Sequence, residues 1–279
     1  MENKEKTSQN TTDLSTIIAG AIQIPGVKVT RSAFLAEQFK ELGPEELKAI
    51  IEKGPIEAGV KREVLKRKAD KLLKTRTAIS TGASFAAGLP GGLAMVATIP
   101  ADILQFYGVA LRMAQELVYL YGEQDIWCDG AVDPDKVTNQ LILYCGVMLG
   151  ASGASQMVRV MSSALAKQAM KKLPQKALTK HLIYTVTKSI ARFFGVSMTK
   201  TTFAKGVSKA IPIVGGVVSG GITLASMLPM GKRLIKSLDT AHFDYTEADF
   251  KKDMEDIDAT CKEQTNFENT QPPTAEPQE

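Results

Sequence analysis

Three stretches of this chain carry no charged residue: Thr77–Ala101, Val137–Val158 and Ala210–Gly231. Each is longer than the roughly 20 residues a helix needs to cross a bilayer, so each needs an apolar surrounding, either lipid or a protein interior. Their make-up favours the interior. All three are rich in Gly, Ala, Ser and Thr rather than Leu and Ile, and prolines interrupt the first and third (Pro90, Pro100, Pro212 and Pro229). Small residues recur every four positions at Ser84, Gly88 and Gly92, at Gly146, Gly150 and Ala154, and at Gly216 and Gly220. That spacing lets helix backbones approach closely, in soluble proteins as in membranes. Gly88, Pro90, Gly91, Gly92, Pro100, Pro212, Gly215, Gly216, Gly220 and Gly221 are therefore read as helix-packing positions, with membrane insertion as the alternative. A hydrophobic content of 44% and a mean hydropathy of -0.04 fit a soluble globular protein.

No run alternates with period two over a useful length, and almost all of the rest reads as helix. SAFLAEQFKEL and PEELKAIIEK form two short amphipathic helices, with Gly43 and Pro44 as stop and restart. Gly54 and Pro55 punctuate again before a basic helix from about Val60 to Arg76. The expected fold is all-α, a single multi-helix domain over residues 20–258 with a central hydrophobic helix and Gly-rich packed helices. Residues 1–19 and the acidic tail 259–279 are expected to be disordered. The polar, mixed-charge start MENKEKTSQNTTD has no apolar core of a secretory signal, so a cytoplasmic protein is expected.

The central helix is expected to begin at Pro100, where a missing N–H costs nothing. At 100° per residue, Asp102, Gln105, Arg112, Glu116 and Tyr119 fall on one stripe of an otherwise apolar helix. The stripe is either a solvent face, a buried polar network, or the lining of a ligand or headgroup site. Arg112 and Glu116 have the i,i+4 spacing of an ion pair. Catalytic signatures are missing: no G-x-S-x-G, no Walker loop, no H-E-x-x-H and no C-x-x-C. No catalytic residue, cofactor or metal is assigned. Cys145 reads as a small core residue, His181 as a helix start and His242 as a surface residue.

Charge is segregated. Fifteen Lys or Arg and no acid lie between Lys136 and Lys236, whereas from Asp239 onward there are twelve acids and three bases. Residues 61–76 add eight bases against two acids. Such separation points to an anionic partner more than to ordinary solubility. Candidate surface-binding bases are Lys66, Arg67, Lys68, Lys167, Lys171, Lys172, Lys176, Lys180, Lys188 and Arg192. Nucleic acid is disfavoured, because no recognisable module accompanies them. Anionic lipid headgroups or a membrane-protein partner fit bases that flank Gly-rich apolar segments, giving a cytoplasmic protein held peripherally at a membrane. The acidic C-terminal segment is expected to compete for the same basic face.

Three separated segments also carry a resemblance. IPGVKVTRSAFL (24–35), GLPGGLAMVATIPADILQFYGVALRMAQELVYLYG (88–122) and IPIVGGVVSGGITLASMLPMGKRL (211–234) together resemble the EcsC protein family over roughly residues 20–240. The resemblance implies no settled biochemical activity and no catalytic residues. The motif positions are Pro90, Gly91, Gly92, Pro100, Asp102, Gln105, Arg112 and Gln115, with Pro212, Gly215, Gly216, Gly220 and Gly221 in the third segment. Two further readings stay open beside peripheral docking: an enzyme with a pocket around Asp102 and Arg112, and a soluble regulator that binds another protein.

Overall fold

Gly and Pro set the helix boundaries at the start of the chain. In the computed structural model, which describes residues 14–79, 101–127, 134–151, 153–163 and 219–270, Gly43 precedes a helix that opens on Pro44, and Gly54 closes it. The helices are α1 (Leu14–Ala21), α2 (Arg31–Gln38), α3 (Pro44–Lys53), α4 (Arg62–Ile79), α5 (Ala101–Leu120), α6 (Pro134–Leu149), α7 (Ala154–Ser162), α8 (Ser219–Asp239) and α9 (Glu247–Thr270), with a π-helical turn at Thr240–Asp244 between the last two. The described residues form no strand, so the fold is all-α. None of their helices is long and apolar enough to cross a membrane.

Helix α5 is the centre. It packs against α1, α2, α4, α6 and α8, and every residue from Met113 to Leu120 is buried. A helix apolar on nearly all sides has to sit inside, which is why it takes this place. Its end is fixed by a left-handed Gly122 (φ 93°), with Glu123 N–H donating to Val118 O and Gly122 N–H to Tyr119 O, both at 3.0 Å. Those bonds satisfy carbonyls that the last turn leaves open.

The uncharged stretch 137–158 is not one long helix. Gly150 (φ 80°) ends α6 by the same device, with Ala151 N–H on Gly146 O at 2.8 Å, and α7 begins four residues later. The two halves are too short to span, and they bury Leu141–Met148 and, from α7, Ala154, Met157 and Val158 in the core. Pro229, by contrast, interrupts nothing: α8 runs through it, held on its inner side by the buried Met227, Met230 and Leu234. Tertiary packing outweighs the proline's missing hydrogen bond.

Both expected ends move outward. Helix α1 starts at Leu14, inside the 1–19 segment read as disordered, because Ile17, Ile18 and Ala21 bury against the core. Helix α9 continues to Thr270, well past the expected boundary at 258. Asp253 and Ile257 anchor it to the domain, and its helical spacing carries the polar continuation onward. His242 is also not a surface residue. It is half-buried, and its ring stacks on Tyr121 with centroids 6.3 Å apart and planes 21° from parallel.

Candidate functional site

Glu116 sits one turn before the end of the central helix with 1% of its side chain exposed. A carboxylate so placed is costly without compensation, and two arginines supply it. Arg76, near the end of α4, lays its guanidinium along the carboxylate, with Nε on Oε2 at 2.6 Å and Nη2 on Oε1 at 2.5 Å. Arg112, one turn earlier on α5, donates Nε to the same Oε1 at 3.1 Å and Nη1 to the Gly26 carbonyl. The polar stripe thus meets an opposing cation from another helix. Both oxygens of Glu116 are held by cations, so the carboxylate fixes two guanidinium groups in place.

A second network lies on the next faces of α5. Gln115, fully buried, uses all of its hydrogen-bonding capacity. Its oxygen accepts from Val29 N–H (3.1 Å) and Trp127 Nε1–H (2.7 Å), and its nitrogen donates to Val27 O and Leu111 O (both 2.9 Å). Tyr119 donates to Asp125 Oδ1 (3.2 Å) and accepts from Ile126 N–H (3.1 Å). Arg31, 6% exposed, donates to Glu123 O (2.8 Å) and Ile51 O (2.6 Å), and its backbone N–H reaches Asp125 Oδ2 (3.3 Å). These contacts pin the segment before α2 and the loop after α5 onto the core. They are structural, because most of them run to backbone groups and the rest join side chains within the same network. Gln105 is half-buried, and the Asp102 backbone lies in the first turn of α5.

The basic helix α4 divides its charges between two tasks. Arg62 grips Asp239 (Nη2–Oδ2 2.6 Å) and Asp244, at the two edges of the π-helical turn. Those carboxylates push the Arg62 guanidinium further above its already high value, and Arg62 in turn lowers that of Asp244. Lys66 joins Asp239 at 3.2 Å. Lys68 pairs with Glu41 at 2.6 Å, donates to Gln38 O, and lies 4.6 Å from the centroid of the Phe39 ring. Both lysines expected on an anionic surface therefore face acids or carbonyls of their own chain.

Arg67, Lys71 and Lys74 are exposed and form no ion pair among the described residues. They lie within about 60° of arc on the outer side of α4, bordered by the exposed acids Glu63 and Asp70. Helix α8 packs beside α4 through Gly231, and it exposes Lys232 and Lys236. Among the described residues, the acidic C-terminal segment meets bases through Asp239 and Asp244, which pair with Arg62, and through Asp253, which pairs with Arg159 at 2.6 Å and accepts from the Tyr245 hydroxyl at 2.9 Å.

Gly88, Pro90, Gly91, Gly92, Pro100, Pro212, Gly215 and Gly216 lie outside the described residues, as do Lys167, Lys171, Lys172, Lys176, Lys180, Lys188, Arg192 and His181. Gly220 and Gly221 fall in the first turn of α8. Among the described residues no group of His, Cys, Asp and Glu could hold a metal ion. Arg76 and Arg31 carry much of this architecture, and the sequence offered little to find them. The one signal for Arg31 is its place in the segment 24–35.

No protein-family model matches the chain, and neither a curated protein nor a solved structure matches it.

Proposed function

We propose that this is an EcsC-like protein that docks peripherally on anionic membrane surfaces through its basic face. The observation that carries the reading is the exposed stripe of Arg67, Lys71 and Lys74, bases that the fold leaves without an internal acid while it pairs Arg62, Lys66, Lys68 and Arg76. Lys232 and Lys236 on the neighbouring α8 extend the charge. The sequence from Lys136 to Lys236, without a single acid, supplies more of the same sign. Each base near an anionic leaflet contributes about 1 kcal/mol, so a handful gives reversible attachment that salt weakens.

Vesicle flotation tests the reading. The protein should float with vesicles of mixed neutral and anionic phospholipid, remain at the bottom with neutral vesicles, and be released by salt. Replacing Arg67, Lys71 and Lys74 with glutamine should weaken binding by about a hundredfold, at about 1 kcal/mol per base. Equal flotation of the triple variant would show that this face is not the docking surface.

A further inference from the structure

We infer that Arg76 and Arg112 form a clamp for a phosphate group. The inference rests on the docking reading for its lipid source, in which the clamp reads the headgroup. Each guanidinium has five N–H donors in a fixed fork. Arg76 commits Nε and Nη2 to Glu116, and Arg112 commits Nε to Glu116 and Nη1 to the Gly26 carbonyl. Among the described residues, Arg76 Nη1 and Arg112 Nη2 are left over, one whole amino group on each side chain. Neither arginine is sealed in: 26% and 31% of their side-chain surfaces remain exposed, over a carboxylate that is 1% exposed.

The arrangement is pre-organised. Arg76 Nη2 and Arg112 Nε reach the same Glu116 Oε1, at 2.5 and 3.1 Å, so these nitrogens lie less than about 6 Å apart. Two like charges held this close need a reason to stay, and Glu116 provides only one negative charge for two positive ones. The ordering entropy of two long side chains is already lost on folding, so a ligand does not have to supply it. Gly26, at φ 82°, suits glycine, and a Cβ there would lie 3.1 Å from Arg112 Nη1, so that the guanidinium would have to give by a few tenths of an ångström.

The geometry selects the ligand class. A planar carboxylate is satisfied by one fork, as Glu116 already is by Arg76. Two amino groups offered by different helices suit a tetrahedral anion with several free oxygens, and a phosphomonoester offers three oxygens and close to two negative charges near neutral pH. Lysine keeps the charge but cannot present the fork. That difference makes Arg76→Lys and Arg112→Lys the informative variants.

Two measurements test the clamp. The first uses the wild-type protein and follows its arginine side-chain Nε–H resonances as inorganic phosphate replaces chloride at equal ionic strength. The Arg76 and Arg112 signals should shift and saturate. The second compares flotation with vesicles of phosphatidic acid, a phosphomonoester, and of phosphatidylglycerol, a diester, matched in surface charge. Wild type should prefer phosphatidic acid at least tenfold, while the lysine variants, checked for native helix content, should lose the preference and keep salt-sensitive docking. Shifts with phosphate but no binding to any vesicle would sink the docking reading and leave the clamp with a soluble phosphate ligand. Vesicle binding with silent arginine signals would overturn the clamp and leave docking intact. A variant that does not fold leaves the wild-type resonances as the deciding measurement.

Discussion

Glu116 and its two arginines are unequal members of one triad, because the carboxylate is shut away from water while each arginine side chain keeps about a quarter or more of its surface there. Their removal should therefore cost different amounts. Arg76→Leu strips the buried carboxylate of its bidentate partner and should cost about 3 kcal/mol. Glu116→Leu leaves two arginines that can turn toward solvent and should cost about 1 kcal/mol, with an apolar group filling the hole. Urea midpoints of the two variants decide it, and a larger loss for Glu116→Leu would contradict the ordering. The stripe that contains Glu116 was legible from helical periodicity. Arg76, 40 residues earlier, was not, since nothing local marks one of seven bases on α4 as the one that turns inward. Lys66 and Lys68 illustrate the same limit. Their charge was plain, but Glu41 and Asp239, which answer them, lie 27 and 173 residues away in sequence, and only the fold brings them close.

Between elements, α4 and α8 meet closely at Gly231. A Cβ on Gly231 would lie 2.4 Å from Leu73 Cδ1, and Leu73 is itself 1% exposed. Gly231→Ala should lower the thermal midpoint, because overpacking at about 1–3 kcal/mol outweighs the gain of about 1 kcal/mol from alanine's helix propensity. In a Leu73→Ala background the same change should raise the midpoint, since the clash is gone and the propensity gain remains. Destabilisation in both backgrounds would place the cost elsewhere. The elements themselves show where sequence reasoning works. Helices α2 and α3 were legible because Gly43, Pro44 and Gly54 act locally on the backbone. Helix α1 escaped, since its few apolar positions follow a polar start and declare themselves only through burial. The stretch 137–158 looked continuous by charge, yet the left-handed Gly150 and Gly153 divide it.

For the molecule as a whole, the core carries an alkaline limit. Burial holds the Tyr107 and Tyr144 hydroxyls well above the ordinary tyrosine value and pushes the Cys145 thiol up to about 12. Tyr119, Tyr121 and Tyr245 are raised for the same reason. The unfolded chain releases such protons near pH 9–10, while the native state keeps them. Native protein thus binds more protons above that range, and stability falls as pH rises through it, by about 1.4 kcal/mol per pH unit for each deeply buried group. Tyrosinate absorbance and loss of helical circular dichroism should therefore appear in one step. Ionisation of all five of these tyrosines before any loss of helix would refute the assignment.

The grip of Arg62 on Asp239 and Asp244 has a consequence in time. These partners are 177 and 182 residues apart, and a ribosome adding about 5–20 residues per second needs roughly 10–35 s to make the intervening chain. For that interval the basic helix α4 emerges without the acids that restrain its first turn, and α5 lacks α8, which packs against it. During its own synthesis the chain thus passes through a stage more cationic than the finished protein, because the twelve acids from Asp239 onward are the last to be made.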